Sequence, residues 1–332
     1  MEQLLRSVVE ELAPIPRLPT SDGERQAAEL IRERLDRLGC RAVVDEVPAY
    51  RSYAWPVGLL CALAAGSGLA ALRGHRIVGT VGGALVVFQQ AAQEWLAAHR
   101  PDLVERMTSN PPLWWLVIGG PALVCAGSAL SSRPLLRAGL AASLTSLAAM
   151  ADIGRRPAVP GANDNLTGVA ALVALAAAFR ENPPPGLRIL LVSAGAEEAL
   201  QEGIRAFAGR YFARLPKRGT WFVNLDTLGS GRLVLLEGEG PVRMHDYDAG
   251  FKDLVAGCAR AEGVPLLRGL RSRNSTDGAV PQGYGYPTTT IVSVDSRKLI
   301  PHYHLDSDLP EQVDYRSVRY AVRLVEAVAR TL

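Results

Sequence analysis

The block from Ala54 to Ala151 constrains this chain more than any other part of it. Residues 54–72 (AWPVGLLCALAAGSGLAAL) run for 19 positions without a charge, residues 77–93 for 17, residues 107–132 for 26 and residues 138–151 for 14. A helix that crosses a bilayer needs about 20 mostly apolar residues, with a usual range of roughly 17–25. The first and third stretches meet that length, the second carries Gln89, Gln90 and Gln93, and the fourth is short. Gly79 and Gly83 form a GxxxG pair, and Ala, Gly and Ser abound throughout, as close helix packing in lipid favours. The block is expected to make about four transmembrane helices, arranged as two hairpins. The alternative is an Ala-rich helical subdomain buried inside a soluble protein.

Four crossings return the chain to the side it left. Trp55, Trp95, Trp114 and Trp115 then fall at one interface, the pattern of an aromatic belt. The flanks on that side carry Arg34, Arg37, Arg41, Arg51, Arg100, Arg106, Arg155 and Arg156, whereas the far loops carry Arg73, Arg76, Arg133 and Arg137. Eight against four favours the cytoplasmic face of a bacterial-type cell membrane for the flanks. The far loops are short and hold no acidic residue, so their basic density is the higher of the two. The opening MEQLLRSVVEELAPIPR has acidic residues and no apolar stretch, so no secretory leader is expected there.

The composition of the whole chain is that of a folded protein. With 332 residues the chain holds one large domain or two ordinary ones. Hydrophobic residues at 48% and charged residues at 21% exclude a disordered or fibrous chain. A net charge of +3 is too small for nucleic acid to be the main partner. The cysteines (Cys40, Cys61, Cys125, Cys258) are scattered and form no CxxC pair, which excludes a cysteine zinc site and gives no sign of a disulfide scaffold. Mean hydropathy is +0.10, high for a soluble enzyme, and the excess lies in the apolar block.

Residues 1–50 read as one α/β unit. Ser21 and Glu24 have capping-box spacing, Ala27, Ala28, Ile31, Leu35 and Leu38 form one helical face, Gly39 ends the helix, and CRAVVDEV follows as a strand. After Ala151 the loop RRPAVPGANDN leads into the helix LTGVAALVALAAAF. Then come strand LRILLVSA, helix GIRAFAGRYFARL, strands WFVNLD and RLVLLEG, helix FKDLVAGCARAEG, strand PTTTIVSV and a helix from Asp314. This alternation predicts an α/β fold with a mostly parallel or mixed central sheet flanked by helices. The expected organisation is one domain built from residues 1–50 and 152–332, with residues 51–151 inserted as the membrane hairpins.

In open α/β sheets, sites form outside the carboxyl ends of the strands. Glu197 and Glu198 follow LRILLVSA, Asp226 ends WFVNLD, Asp164 opens a helix in PGANDNLTG, and His302 and His304 lie in PHYHLDSD. Each has an ordinary reading when taken singly. Asp164 can cap a helix, Glu197–Glu198 can be solvated loop acids, Asp226 can serve a turn and His304 can be structural. Jointly, carboxylates and imidazoles at strand ends suit zinc, with adjacent glutamates serving as one ligand and one base for the attacking water.

The ordered strings PGANDNLTG, GAEEALQEGIRAF, NLDTLG and YHLDSDLPEQVD resemble the co-catalytic zinc aminopeptidase family, which also contains the glutaminyl cyclases. TSDGERQAAELIRERLDRLGC is similar to that family's opening helix, so the resemblance covers about residues 1–50 and 151–332 and leaves the apolar block aside. It implies a zinc exopeptidase-like fold. It also implies Asp164 as the carboxylate bridging two zinc ions, Glu197 as general base, Glu198 and His304 as ligands of one zinc, and Asp226 as a ligand of the other. Tyr303 stands where the family has a tyrosine that stabilises the tetrahedral intermediate. STDGAVP resembles a Ser-Asp-His segment of the family, but Gly278 replaces the histidine, so no role is assigned to it. The family's His-x-Asp motif before the bridging aspartate is also absent. At the commonest family spacing its histidine position falls on Asp152, which either supplies an oxygen ligand or merely ends the last apolar segment. With Asp152, Asp164 and Asp226 as donors, the second site would prefer Mn²⁺ or Mg²⁺.

The resemblance thus implies a zinc metallohydrolase with one or two ions, acting as an aminopeptidase, and the apolar block adds the expectation that it is membrane-embedded and works near the membrane surface. Its expected partners are the lipid bilayer and a peptide, or a membrane-tethered peptide or lipopeptide. The alternatives are a glutaminyl cyclase-type transferase with a single zinc and a catalytically silent pseudopeptidase scaffold. A channel or transporter is disfavoured, because the apolar stretches carry no ionisable residue to mark an ion path.

Overall fold

The computed structural model describes residues 1–99, 115–240 and 243–332, with the side chains of 89–117 outside the description. Tertiary contacts divide the chain into two units. One comprises residues 1–48, 157–197 and 203–332, and the other residues 49–156 with the short segment 198–202.

The first unit opens with α1 (Glu2–Leu12), whose Leu5, Val8, Val9 and Leu12 are fully buried at helical spacing. Each such side chain contributes about 1.5–3 kcal/mol by leaving water. Helix α2 (Asp22–Arg37) starts at Ser21, whose hydroxyl accepts the Glu24 N–H at 3.1 Å. The returning Glu24 carboxylate takes the Thr20 N–H at 2.7 Å, so the box closes one residue early. Gly39 follows the helix with φ 85°, the left-handed residue that lets the chain turn away.

Beyond the insertion, the turn Ala162–Leu166 leads into α7 (Thr167–Glu181), which is apolar on most faces and correspondingly buried. Helices α8 (Glu202–Tyr211), α9 (Ala249–Ala261), α10 (Ala279–Gly283) and α11 (Tyr315–Thr331) follow, the last capped by Asp314, which accepts the Arg316 N–H at 2.9 Å. The main sheet has the order β1-β7-β2-β5, with β1 Phe222–Leu225, β2 Arg232–Leu235, β5 Leu266–Leu267 and β7 Thr288–Val294. β7 runs parallel to β1 (Val223 opposite Thr289) and antiparallel to β2 (Leu233 opposite Ser293), and β2 is parallel to β5, so the sheet is mixed. All seven residues of β7 are buried, as a central strand covered on both faces requires. β3 (Gly238–Glu239), β4 (His245–Asp246) and β6 (Arg271–Ser272) form a small second sheet. The architecture is the expected α/β one.

Two expected strands are absent among the described residues. CRAVVDEV and LRILLVSA run outside any ladder, with Val43 76%, Val44 41%, Ile189 36% and Leu190 44% exposed. Their apolar, β-branched composition suits a half-buried pleated surface, but a strand also needs a neighbour with which to share its hydrogen bonds.

The second unit contains α3 (Ala54–Leu72), α4 (Arg76–His99), α5 (Trp115–Ala129) and α6 (Arg133–Ile153). Helix α6 extends its 14-residue uncharged stretch to 21 residues by placing Arg133 and Arg137 in its first turns, where both are exposed. By length and composition, three described helices can cross a membrane: Ala54–Leu72, Arg133–Ile153 and the segment Ala162–Glu181. The last of these belongs to the first unit, where it is a core helix. The segments Arg76–Phe88 and Ile118–Ala129 are apolar but shorter. The four helices meet through small residues. A Cβ on Gly139 would lie 2.7 Å from the Val124 amide nitrogen, so only glycine permits that approach. Large apolar side chains face outward instead, including Leu59 (72% exposed), Ile77 (80%) and Leu130 (71%). Trp55 is also exposed, while Trp114, Arg100, Arg106 and the side chains of Trp95 and Trp115 lie outside the described residues.

Candidate metal centre

Asp164 sits in the turn ahead of α7, and its neighbours tie that turn to the end of β1. Asn165 Nδ2 donates to the Leu225 carbonyl at 3.0 Å, and its Oδ1 accepts the Thr227 N–H at 3.1 Å, so one amide grips both flanks of Asp226. Asn163 Oδ1 accepts the Gly229 N–H at 2.7 Å, and Thr167 Oγ1 accepts the Leu228 N–H at 2.9 Å. The string NDNLT is thus a row of side chains that satisfies the backbone of the loop after β1, where no sheet partner can. The Asp164–Asn165 peptide is cis.

From the other side, Asp308 holds the same turn. It is 1% exposed; its Oδ1 accepts the Asn163 N–H at 2.8 Å and its Oδ2 the Asp164 N–H at 3.0 Å. Its carbonyl accepts the Ala162 N–H at 3.1 Å. Burial pushes the Asp308 carboxyl up, opposed by these two N–H donors and by His302 and Arg17. The Arg17 guanidinium donates to the carbonyls of Leu12 and Ile15 at the end of α1 and to that of Pro160 just before the turn. Burial lowers its pKa to about 10, with Asp308 opposing the shift.

Glu197 and Glu198 lie in a loop whose neck is Gly195 and Gly203. A Cβ on Gly203 would stand 2.8 Å from the Gly195 amide nitrogen, so the neck closes only around glycine. Glu24 Oε1 accepts the Ala196 N–H at 2.9 Å and so fixes the residue before Glu197. Within the second unit, the buried Glu202 carboxylate accepts the Tyr50 N–H at 2.5 Å.

His304 Nε2 stands 3.2 Å from Asp164 Oδ2, and the Tyr303 ring stacks on the His304 ring at 3.8 Å. The His302 ring pairs with Ser307 Oγ at 2.8 Å. Asp164, Glu198 and His304 each offer a ligand atom within 4.8 Å of the others. Asp226 and Asp152 are not part of this group. Asp226 sits half-buried at the end of β1, and Asp152 pairs with Arg156 at 2.6 Å on α6. Two carboxylates and an imidazole are donors that zinc takes at roughly 2.0–2.2 Å, which sets tetrahedral ligands about 3.4 Å apart. The Asp164–His304 separation agrees with that spacing, and the donor set is of the kind zinc accepts.

The STDGAVP segment has another task. Thr276 donates its N–H and hydroxyl to the Glu239 carboxylate at 3.1 and 3.0 Å, and Tyr247 Oη meets Thr290 Oγ1 at 2.6 Å. A Cβ on Gly278 would come within 2.7 Å of Tyr247 Oη, so nothing as large as histidine fits there. Burial pushes both Glu239 and Asp277 up to about 7.

Sequence reasoning did not single out Asp308, Arg17 or the second bond of Glu24. Asp308 lies four residues after His304 in a quoted motif, and that proximity was the available signal.

The model of peptidase family M28 matches residues 145–329, more than half of the chain. No curated protein sequence matches it. Among solved structures, an aminopeptidase from Aneurinibacillus sp. strain AM-1 aligns with a TM-score of 0.57 at 13% identity, covering 99% of this chain and 93% of that one. Tannerella forsythia glutaminyl cyclase aligns with a TM-score of 0.52 at 14% identity, covering 100% and 99%. For BSAP, a zinc aminopeptidase from Bacillus subtilis, the TM-score is 0.42 at 23% identity over 51% of this chain, which spans 41% of that enzyme's length. At these identities the structural likeness establishes the fold, and with the family match over its C-terminal half the chain belongs to peptidase family M28.

Proposed function

We propose that this chain is a membrane-embedded, zinc-dependent aminopeptidase, cleaving the amide bond after the N-terminal residue of a peptide tethered to the bilayer. The observation that carries the reading is the convergence of Asp164, Glu198 and His304, with Glu197 next to one of them in sequence. Zinc held there would supply the positive charge that acidifies a water and polarises the scissile carbonyl. Glu197 takes the proton from the attacking water and passes it to the leaving amine. Tyr303 donates its hydroxyl hydrogen to the carbonyl oxygen as charge develops there. Replacing Glu197 by Ala is expected to cut turnover on a peptide substrate by about 10²–10⁴-fold while leaving zinc content unchanged. Full turnover in Glu197→Ala would overturn the mechanism.

Glutaminyl cyclisation is the second reading, favoured by the single three-residue group among the described residues. It predicts one zinc per chain, and ammonia release from a peptide with N-terminal glutamine without loss of a residue. Membrane embedding is supported by the apolar helices Ala54–Leu72 and Arg133–Ile153 and by large apolar residues turned outward around a seam of small ones.

A further inference from the structure

We propose that Asp308 is a positioning residue for metal binding, its buried carboxylate holding the Asn163–Asp164 backbone so that the Asp164 side chain stands against His304. This rests on the metal-site reading above and extends it to a residue that would touch neither ion nor substrate. Three bonds converge from Asp308 on three consecutive residues: Ala162 N–H to its carbonyl, Asn163 N–H to Oδ1 and Asp164 N–H to Oδ2. The two carboxylate bonds are 2.8 and 3.0 Å long, and the side chain is 1% exposed, so no water competes for them. Asp308 also closes the loop that carries His304: its own N–H donates to the Leu305 carbonyl at 3.0 Å, and the Leu305 N–H donates to that of His302 at 3.0 Å. One residue therefore holds the Asp164 backbone and closes the turn that begins just after His304, and the ligand atoms of Asp164 and His304 are 3.2 Å apart. Both carboxylate oxygens act as acceptors, and an amide offers only one acceptor and turns two N–H donors against the second backbone N–H.

The test is zinc affinity of the full chain in detergent, measured by competition with a chromophoric chelator, alongside the melting temperature of the metal-free protein. Wild type is compared with Asp308→Asn and with Val322→Ala, a core change on α11 that lowers stability away from the site. Asp308→Asn is expected to weaken zinc binding by about 10–100-fold, and Val322→Ala to leave the affinity within about twofold at a comparable loss of melting temperature. Equal affinities in Asp308→Asn and wild type overturn the proposal, as does an equal loss in both variants. If wild type itself takes up no zinc, the metal-site reading fails and this proposal with it. Should Asp308→Asn not fold, Arg17→Gln reaches the same turn through the Pro160 carbonyl and is expected to weaken zinc binding by up to about tenfold.

Discussion

Glu239 titrates in a window that makes its burial measurable. In an unfolded chain its carboxyl releases a proton near the ordinary 4.5, whereas burial holds the proton in the folded chain up to about 7. The folded state therefore binds more protons over that range. The stability this contributes is fully present below about 4.5 and declines as pH rises towards 7. Replacing Glu239 by Gln keeps an acceptor for Thr276 and removes the titration. The melting temperature of Glu239→Gln, relative to wild type, is expected to rise between about pH 5 and 7 and to level off above that. A difference that is flat across that interval would show that Glu239 titrates normally. The same residue scale shows what the sequence discloses of the site. Asp164, Glu198 and His304 stand out because metal chemistry restricts a donor to a few residue types. Asp308 and the second bond of Glu24, to Ala196, do not, because a carboxylate that accepts backbone N–H groups from far along the chain has no spacing of its own. Gly278 lies between: its departure from the family pattern is visible in the sequence, but the Tyr247 hydroxyl that explains it comes from 31 residues away.

The elements divide by how local their causes are. Helix α2 is legible from Ser21 to Gly39, since cap, apolar face and left-handed stop are all written within about five turns. The Ser21 cap bond is short-range and partly exposed, and Ser21→Ala is expected to destabilise the first unit by about 1 kcal/mol. Thermal or denaturant unfolding of purified protein measures this, and a loss below about 0.3 kcal/mol would mean that Glu24 alone secures the helix start. Because Glu24 also holds the Ala196 N–H, this change weighs on the loop of Glu197 and Glu198 as well as on the helix. β1 and β7 were equally legible, but their order was not. β7 lies between β1 and β2 although it comes 53 residues after β2, a pairing that no local pattern announces. CRAVVDEV and LRILLVSA mark the opposite failure, local pattern without a partner. The helices of the second unit were readable as apolar stretches, but the true length of α6 was hidden by Arg133 and Arg137, which its exposed first turns accommodate.

At the scale of the molecule, the second unit interrupts the first a short way in sequence before Asp164. Asp164 lies eleven residues beyond Ile153, the end of α6, and so short a segment reaches at most about 40 Å. If α6 crosses the bilayer, Asp164 is leashed within that distance of the membrane surface. A substrate anchored in the same bilayer then meets the site at an effective concentration set by the leash and not by the bulk solution, which reaches millimolar for short tethers. Anchoring alters encounter and leaves the groups at the metal unchanged, so the gain belongs in KM and not in kcat. With protein reconstituted into vesicles, a lipid-anchored peptide is expected to show kcat/KM at least about tenfold above that of the same peptide free in solution, with kcat within about twofold. In detergent micelles the advantage should shrink, because each micelle holds few substrate molecules and the leash no longer confines enzyme and substrate to one sheet. Equal kcat/KM for the two peptides in vesicles would assign the insertion to anchoring the enzyme alone, with its substrates arriving from solution.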